Sequence, residues 1–286
     1  FGMNIGVVLS GGMGKGAYQV GALRALNEFV PLSDIKSISC ASIGALNGYA
    51  YLTENLDAAE DLWMNMCEEG KRLFMTQILR NNMLAPKIDK LYVPGKELPA
   101  SLYCVLLDWE HKDLVYKDIS ISDDSNVPLY LKASVSFPVY CPSVHIENIN
   151  YYDGAVVDNI PIYPLMNSDL DYIICLYFDD IYYKFESNDF DKKIVKLTYP
   201  SEIAVKQHII LRKESIKDMI KNGYDRTIEL LKIFFEKGYD NLDHIYDVIE
   251  SRSHNGPSTN LRITGDVIAT KVNQKVLRLT KNKVLR

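Results

Sequence analysis

The chain has 286 residues, 47% of them apolar and 24% charged, and its 32 Lys and Arg stand against 37 Asp and Glu for a formal net charge of −5. This composition fits a globular protein with a large core rather than a disordered chain, and the acidic balance leaves no global basic field to hold nucleic acid. Five cysteines without a Cys-x-x-Cys pair point away from a zinc site or a disulfide framework and toward a reducing, cytoplasmic setting, and no stretch approaches the ~18 uninterrupted apolar residues of a membrane span.

Near the N-terminus the run IGVVL, bounded by glycines, predicts a buried strand. GGMGKGAYQVGALRALNEF follows as a glycine loop leading into a helix, with Ala17, Val20, Leu23 and Leu26 at helical spacing. IKSISC is a second short strand, and Ser42 comes directly after it. A further helix starts at Ala45, carries Leu46, Tyr49 and Leu52, and breaks near Asn55 before DAAEDLWMNMCEE. Strand, glycine loop, helix, strand, turn and helix in this order predict an α/β fold with a parallel sheet. In the less regular middle, Pro138 and Pro142 interrupt further helix or central strand around YLKASVSFPVY, and INYYDGAVVDNIPIYPL reads as an Asp-Gly turn followed by more turn and loop chemistry. YIICLYF is a buried strand ending at Asp179 and Asp180, and residues 201–237 keep a helical period through Ile209, Ile216, Ile220, Ile228, Leu231 and Phe235. SRSHNGPSTN is a linker ahead of a basic tail: residues 251–286 hold eight Lys or Arg against Asp266 alone, a net +7 that leaves −12 for the first 250. A solvated arm is the expectation for this tail, with an anionic membrane or partner as the alternative.

Three chemistries compete for SGGMGKGAYQVG. A nucleotide P-loop is excluded, because Gly11 and Gly16 have its spacing but Ala17 and Tyr18 stand where lysine and a hydroxyl belong. Gly12, Gly14 and Ala17 match a dinucleotide fingerprint, yet the second strand ends in Cys40, Ala41 and Ser42 instead of an acid for the ribose. On the third reading the loop's N–H groups converge on negative charge at an acyl carbonyl oxygen, helped by the adjoining helix N-terminus. Ser42 is then either an exposed nucleophile or only a small residue at a tight turn, and as a nucleophile it needs a base. Asp153, beside Gly154, is the stronger partner. His145 is the one histidine kept as a candidate, while His111, His208, His244 and His254 read as surface residues. Lys15 suits an anionic headgroup or phosphate, or a solvated surface.

The ordered blocks LSGGMGKGAYQVGAL, ASIGALNG and YYDGAVVDNIP, with KASVSFPVYCP supporting the third, resemble the patatin-like phospholipase family from about Ile5 to Phe235. The resemblance implies a three-layer α/β/α sandwich around a mainly parallel sheet and a Ser/Asp dyad without histidine. By matching position, Ser42 would be the nucleophile, Asp153 its base, and Gly11, Gly12, Met13 and Gly14 the oxyanion hole, with Lys15 where the family commonly has Arg or Lys. It further implies two-step acyl transfer on a phospholipid, lysophospholipid or related lipid ester, without metal or other cofactor, and with residues of LWMNMC and LFMTQIL lining an acyl groove or packing the core. Residues 3–240 would form the acyl hydrolase domain and 241–286 a C-terminal helix, linker and basic tail, in a cytoplasmic protein for which peripheral membrane contact stays open.

Two departures stand out. Cys40 replaces the first glycine of the Gly-x-Ser-x-Gly elbow, and Met13 the third glycine of the loop. Where the backbone requires positive φ, a side chain costs on the order of 1 to 3 kcal/mol. A catalytically degenerate lipid-binding protein therefore remains an alternative, with a dinucleotide-binding enzyme behind it.

Overall fold

Both short apolar runs form strands that feed helices: β1 (Ile5–Leu9) leads through the glycine loop to α1 (Gly16–Leu26), and β2 (Ile35–Cys40) turns at Ser42 into α2 (Ile43–Leu52). The computed structural model describes residues 2–178, 182–199, 210–236 and 260–281. His208, His244, His254, Asp179, Asp180, Ile209, nearly all of the linker and the boundary at residue 240 lie outside them. Onward from α2 the chain forms α3 (Leu56–Met64), β3 (Leu73–Phe74), α4 (Met75–Arg80), α5 (Ala85–Leu91), β4 (Ser101–Asp108), β5 (Asp113–Asp118), α6 (Val127–Ser134), β6 (Val144–Ile146) and β7 (Ile149–Asp153). It continues as β8 (Tyr172–Tyr177), β9 (Tyr182–Phe185), α7 (Asn188–Asp191), β10 (Ile194–Thr198), β11 (Ile210–Leu211), α8 (Lys213–Glu236), β12 (Asn260–Ile263) and α9 (Gly265–Lys281).

The main sheet runs β10-β8-β1-β2-β4-β7-β6, with β5 on β4 as well. From β10 through β4 the pairs are parallel, and β5, β6 and β7 are antiparallel. Ile5, Val7 and Leu9 of β1 belong to one apolar layer and Val8 to the other; Ile174 and Leu176 of β8 likewise oppose Ile173, Cys175 and Tyr177. Strands buried on both faces read as continuous apolar runs rather than alternating ones, and IGVVL and YIICLY contain no charge for that reason. Helices α1, α2 and α8 cover the first face, where Ile216, Met219, Leu230 and Leu231 of α8 are buried.

Over its described residues the tail differs from a solvated arm. β12 pairs in parallel with β9, with Ile263 opposite Phe185, and Ile268 and Val272 of α9 are buried in the second apolar layer with Leu279 packed against it. An apolar stripe at positions 268, 272 and 279 is enough to dock the helix while Lys275 and Arg278 stay exposed.

Candidate active site

One edge of β4 brings the two halves of the site together. Its residues Ser101 to Cys104 pair with Ser37 to Cys40 of β2, and its later residues Leu106 to Asp108 pair with β7. β5 pairs with β4 from Tyr103 to Asp108, so it occupies the opposite edge throughout. β2 and β7 therefore share an edge while running in opposite directions, and their C-terminal ends meet head to head beside Val105. Cys40 stands opposite Cys104 and Asp153 opposite Leu106. Gly154 has to be glycine at this junction, because a Cβ there would lie 2.7 Å from the Val105 carbonyl carbon and 2.8 Å from the Leu106 nitrogen.

Ser42 is the turn between β2 and α2. Its backbone holds φ 53° and ψ −127°, a region that a side chain enters only under constraint, and its oxygen stands at the N-terminal, electropositive end of α2. Cys40, two residues earlier, is an ordinary strand residue paired with Leu9 and Cys104, so the replaced glycine imposes no strain there. Its sulfur is accommodated by Gly48 on α2, where a Cβ would come within 2.8 Å of Sγ. Met13, in contrast, does take a positive φ of 51°, and it keeps its N–H.

Asp153 is fully buried. Oδ1 accepts a hydrogen bond from the Ala155 N–H at 2.9 Å. Oδ2 is buried with no partner in good hydrogen-bonding geometry, and the Ser42 hydroxyl is the polar group that faces the carboxylate. Burial pushes the Asp153 carboxyl from 3.8 up to about 7, against the opposing pull of the Ser42 hydroxyl and the Ala155 amide. A carboxylate so placed can take a proton from an adjacent hydroxyl near neutral pH.

The glycine loop lies on the other side of Ser42. The Gly11 N–H donates to the Asn159 carbonyl at 3.2 Å, and Asn159 Nδ2 returns a bond to the Gly11 carbonyl at 3.2 Å. Gly11 is thereby engaged as a donor, and among the described hydrogen bonds none is made by the Gly12 or Met13 N–H. Lys15 is half-buried with Nζ donating to the Phe178 carbonyl at 3.1 Å. Behind the loop, buried Gln19 donates to the Ser10 carbonyl at 2.7 Å, and Asn47 of α2 donates to Gln19 Oε1 and to the Gly16 carbonyl, each at 2.9 Å. Asn159, Gln19 and Asn47 lie within the quoted sequence blocks; Gln19 and Asn47 are polar residues inside apolar helical periods, and Asn159 sits in a turn stretch with nothing to mark its part.

Two cavities open on Ser42. The outer is a cleft of about 260 Å³ lined by Gly11, Gly12, Met13, Lys15, Asn159 and Phe178, among others. The inner is a slot of about 20 Å³ between Ile43, Met75, Leu79, Leu84 and Val135, with Asp153 in its wall. Met13 and Phe137 border both. Of the two apolar segments expected to line a groove or fill the core, LFMTQIL supplies Met75 and Leu79 to the slot, while Leu62, Trp63, Met66 and Cys67 of LWMNMC are buried in the core. His145 is exposed on β6 beside Asn150 and lines neither cavity, and His111 is bound to Asp108 at 2.7 Å. No group of three or more metal-ligating side chains occurs among the described residues.

A family model described as patatin-like phospholipase matches residues 7–166. The chain is similar to "Lysophospholipase NTE1" of Cryptococcus neoformans, 26% identical over 185 residues that make up 60% of this chain and 11% of that protein. It is also similar to human "Patatin-like phospholipase domain-containing protein 2", 28% identical over 171 residues, 54% of this chain and 32% of the human one. Among solved structures, VipD from Legionella pneumophila superposes with a TM-score of 0.47 at 12% identity, covering 80% of this chain and 67% of that one. The chain thus spans about a tenth of its fungal relative and about a third of its human one.

Proposed function

The chain belongs to the patatin-like phospholipase family, and from that premise we propose that it is a serine lipid acyl hydrolase, cleaving phospholipid or lysophospholipid esters through an acyl-serine intermediate. Asp153 takes the Ser42 proton as Oγ attacks the ester carbonyl. The oxyanion that forms is held by the N–H groups of Gly12, Met13 and Gly14 and by the N-terminal end of α2. Collapse of the tetrahedral intermediate breaks the bond to the alcohol, which leaves with the proton from Asp153. Water then attacks the acyl-serine, Asp153 accepts its proton, and the fatty acid departs as Ser42 regains a hydrogen.

The observation that supports this most is the meeting of β2 and β7 on one edge of β4, with a buried carboxylate oxygen left facing the Ser42 hydroxyl. In this reading the polar part of the substrate stays in the outer cleft beside Lys15, and the acyl chain lies along the apolar side chains of Met13 and Phe137, which border the cleft. Gly11 serves the site through its clamp with Asn159 instead of donating to the oxyanion.

The test is hydrolysis of a short-chain nitrophenyl ester and of mixed phospholipids by the native protein, Ser42→Ala and Asp153→Asn. Activity is expected in the first alone, with a fluorophosphonate probe labelling Ser42. Activity that survives both substitutions would refute the dyad.

A further inference from the structure

Two apolar side chains beside the slot are left in solvent: Val139 is 56% exposed and Phe74 44%. Val139 also holds φ 83°, the left-handed region that a β-branched residue occupies only as an outlier. Strain of this kind persists where the surroundings impose it, and it gathers at functional positions. Phe74 immediately precedes Met75 of the slot wall, and Val139 lies between Phe137 of the slot wall and Tyr140. The two segments touch: the Arg80 guanidinium stands 5.4 Å from the Tyr140 ring, and the Cys141 thiol reaches the Leu79 carbonyl at 3.5 Å.

Charge singles out the same region. Residues 71–90 carry five Lys and Arg against Asp89 alone, a net +4 in a chain of net −5, and residues 135–143, VSFPVYCPS, carry none. Lys71 is paired with Glu68 and Lys87 donates to the Asn65 carbonyl, while Arg72, Arg80 and Lys90 are exposed.

We propose that this rim, made of the α4–α5 segment and the loop at residues 137–141, docks on an anionic lipid bilayer, with Phe74 and Val139 entering the headgroup layer and Arg72 and Arg80 meeting lipid phosphates and carboxylates. The proposal rests on the lipid-hydrolase reading and supplies its substrate path, from the bilayer past Phe137 to the cleft at Ser42. Among the described residues no helix is long and apolar enough to cross a membrane, so contact here is with its surface. The basic tail does not duplicate the rim: α4 packs in the first apolar layer and α9 in the second, on opposite faces of the sheet.

The test is co-sedimentation of the full chain with phosphatidylcholine vesicles, with and without phosphatidylserine, at low and high salt. At about a factor of five for each cation near an anionic surface, Arg72→Gln with Arg80→Gln should weaken binding to the phosphatidylserine vesicles about 25-fold at low salt. Phe74→Ser and, separately, Val139→Ser should weaken binding at both salt concentrations. All variants should hydrolyse a soluble short-chain ester as the native protein does, which shows that they fold. Rim variants that bind as the native protein does overturn the proposal, in favour of the tail if Lys275→Gln with Arg278→Gln, at two exposed positions of α9, weakens binding and of a protein partner for the rim if it does not. Vesicle binding that depends on the rim in a protein inactive on every ester would uphold the surface while the hydrolase reading fails.

Discussion

Replacing Asp153 by asparagine separates the two consequences of burying a carboxylate beside a nucleophile. Burial lifts this carboxyl from 3.8 to about 7. About three pKa units at about 1.4 kcal/mol each make its ionised form destabilise the folded state by up to about 4 kcal/mol. The sign follows from counting protons. Between the unfolded and folded pKa values the unfolded chain has released a proton that the folded one retains, so stability falls as pH rises through that window and is level above about 7. Asparagine does not titrate, and its Oδ1 can still accept from Ala155. The variant should therefore match the native protein near the unfolded pKa and exceed it by 1 to 4 kcal/mol at about pH 8, while hydrolysing no ester. Urea melts of the pair at about pH 4, 6 and 8 read the difference, from which other titrating groups cancel. On the same ground native kcat/KM should be half-maximal at about pH 7 and fall about tenfold per pH unit below it. A stability gain independent of pH, or a native rate profile that stays flat well below neutrality, would refute the raised proton affinity.

Three further substitutions probe the geometry. Ser42→Gly removes both the hydroxyl and a strained non-glycine conformation, so thermal melts should show a gain of about 1 kcal/mol while fluorophosphonate labelling disappears. Gly48→Ala places a Cβ 2.8 Å from Cys40 Sγ and should destabilise by about 1 to 3 kcal/mol; adding Cys40→Ala should recover most of that loss, as a double-mutant cycle in urea would show. Asn159→Ala removes the side-chain half of the clamp on Gly11, leaves the backbone bond from the Gly11 N–H in place and does not touch Ser42 or Asp153; it should lower kcat by up to about 10-fold with KM little changed, short of the ~100- to 1000-fold of a lost oxyanion donor.

The elements that fix Ser42 were legible in the sequence because each is local. IGVVL and IKSISC are buried on both faces, and the apolar period of α1 begins where the glycines end. β4 escaped notice although SLYCVLLD is an apolar run, since no glycine loop or motif marks it, and its importance lies wholly in what pairs with its edge. INYYDG showed its turn but not the strand before it: Asp153 ends β7 and caps the following turn through Ala155. The engagement of the Gly11 N–H was equally invisible, because its partner Asn159 is remote in sequence and the bond runs between backbones. The compensation of Cys40 by Gly48 is local but depends on the distance between a strand and the helix after it, which residue types alone do not supply.

On the proposed reading, the edge of β4 also accounts for an aspartate acting without a histidine. An exposed carboxylate, with a pKa near 4, is too weak a base to draw a proton from a serine hydroxyl at neutral pH, whereas an imidazole near 6.5 is well matched. At the head-to-head junction of β2 and β7 the carboxylate is enclosed by the sheet, Oδ1 is held by the Ala155 amide, Oδ2 is buried, and the Ser42 hydroxyl interacts with the carboxylate. Enclosure raises its proton affinity to about 7, that of an imidazole, and the same enclosure fixes the direction from which a proton can come. If Asp153 is the base, topology does what a third residue does in a triad: it orients the base and sets its strength.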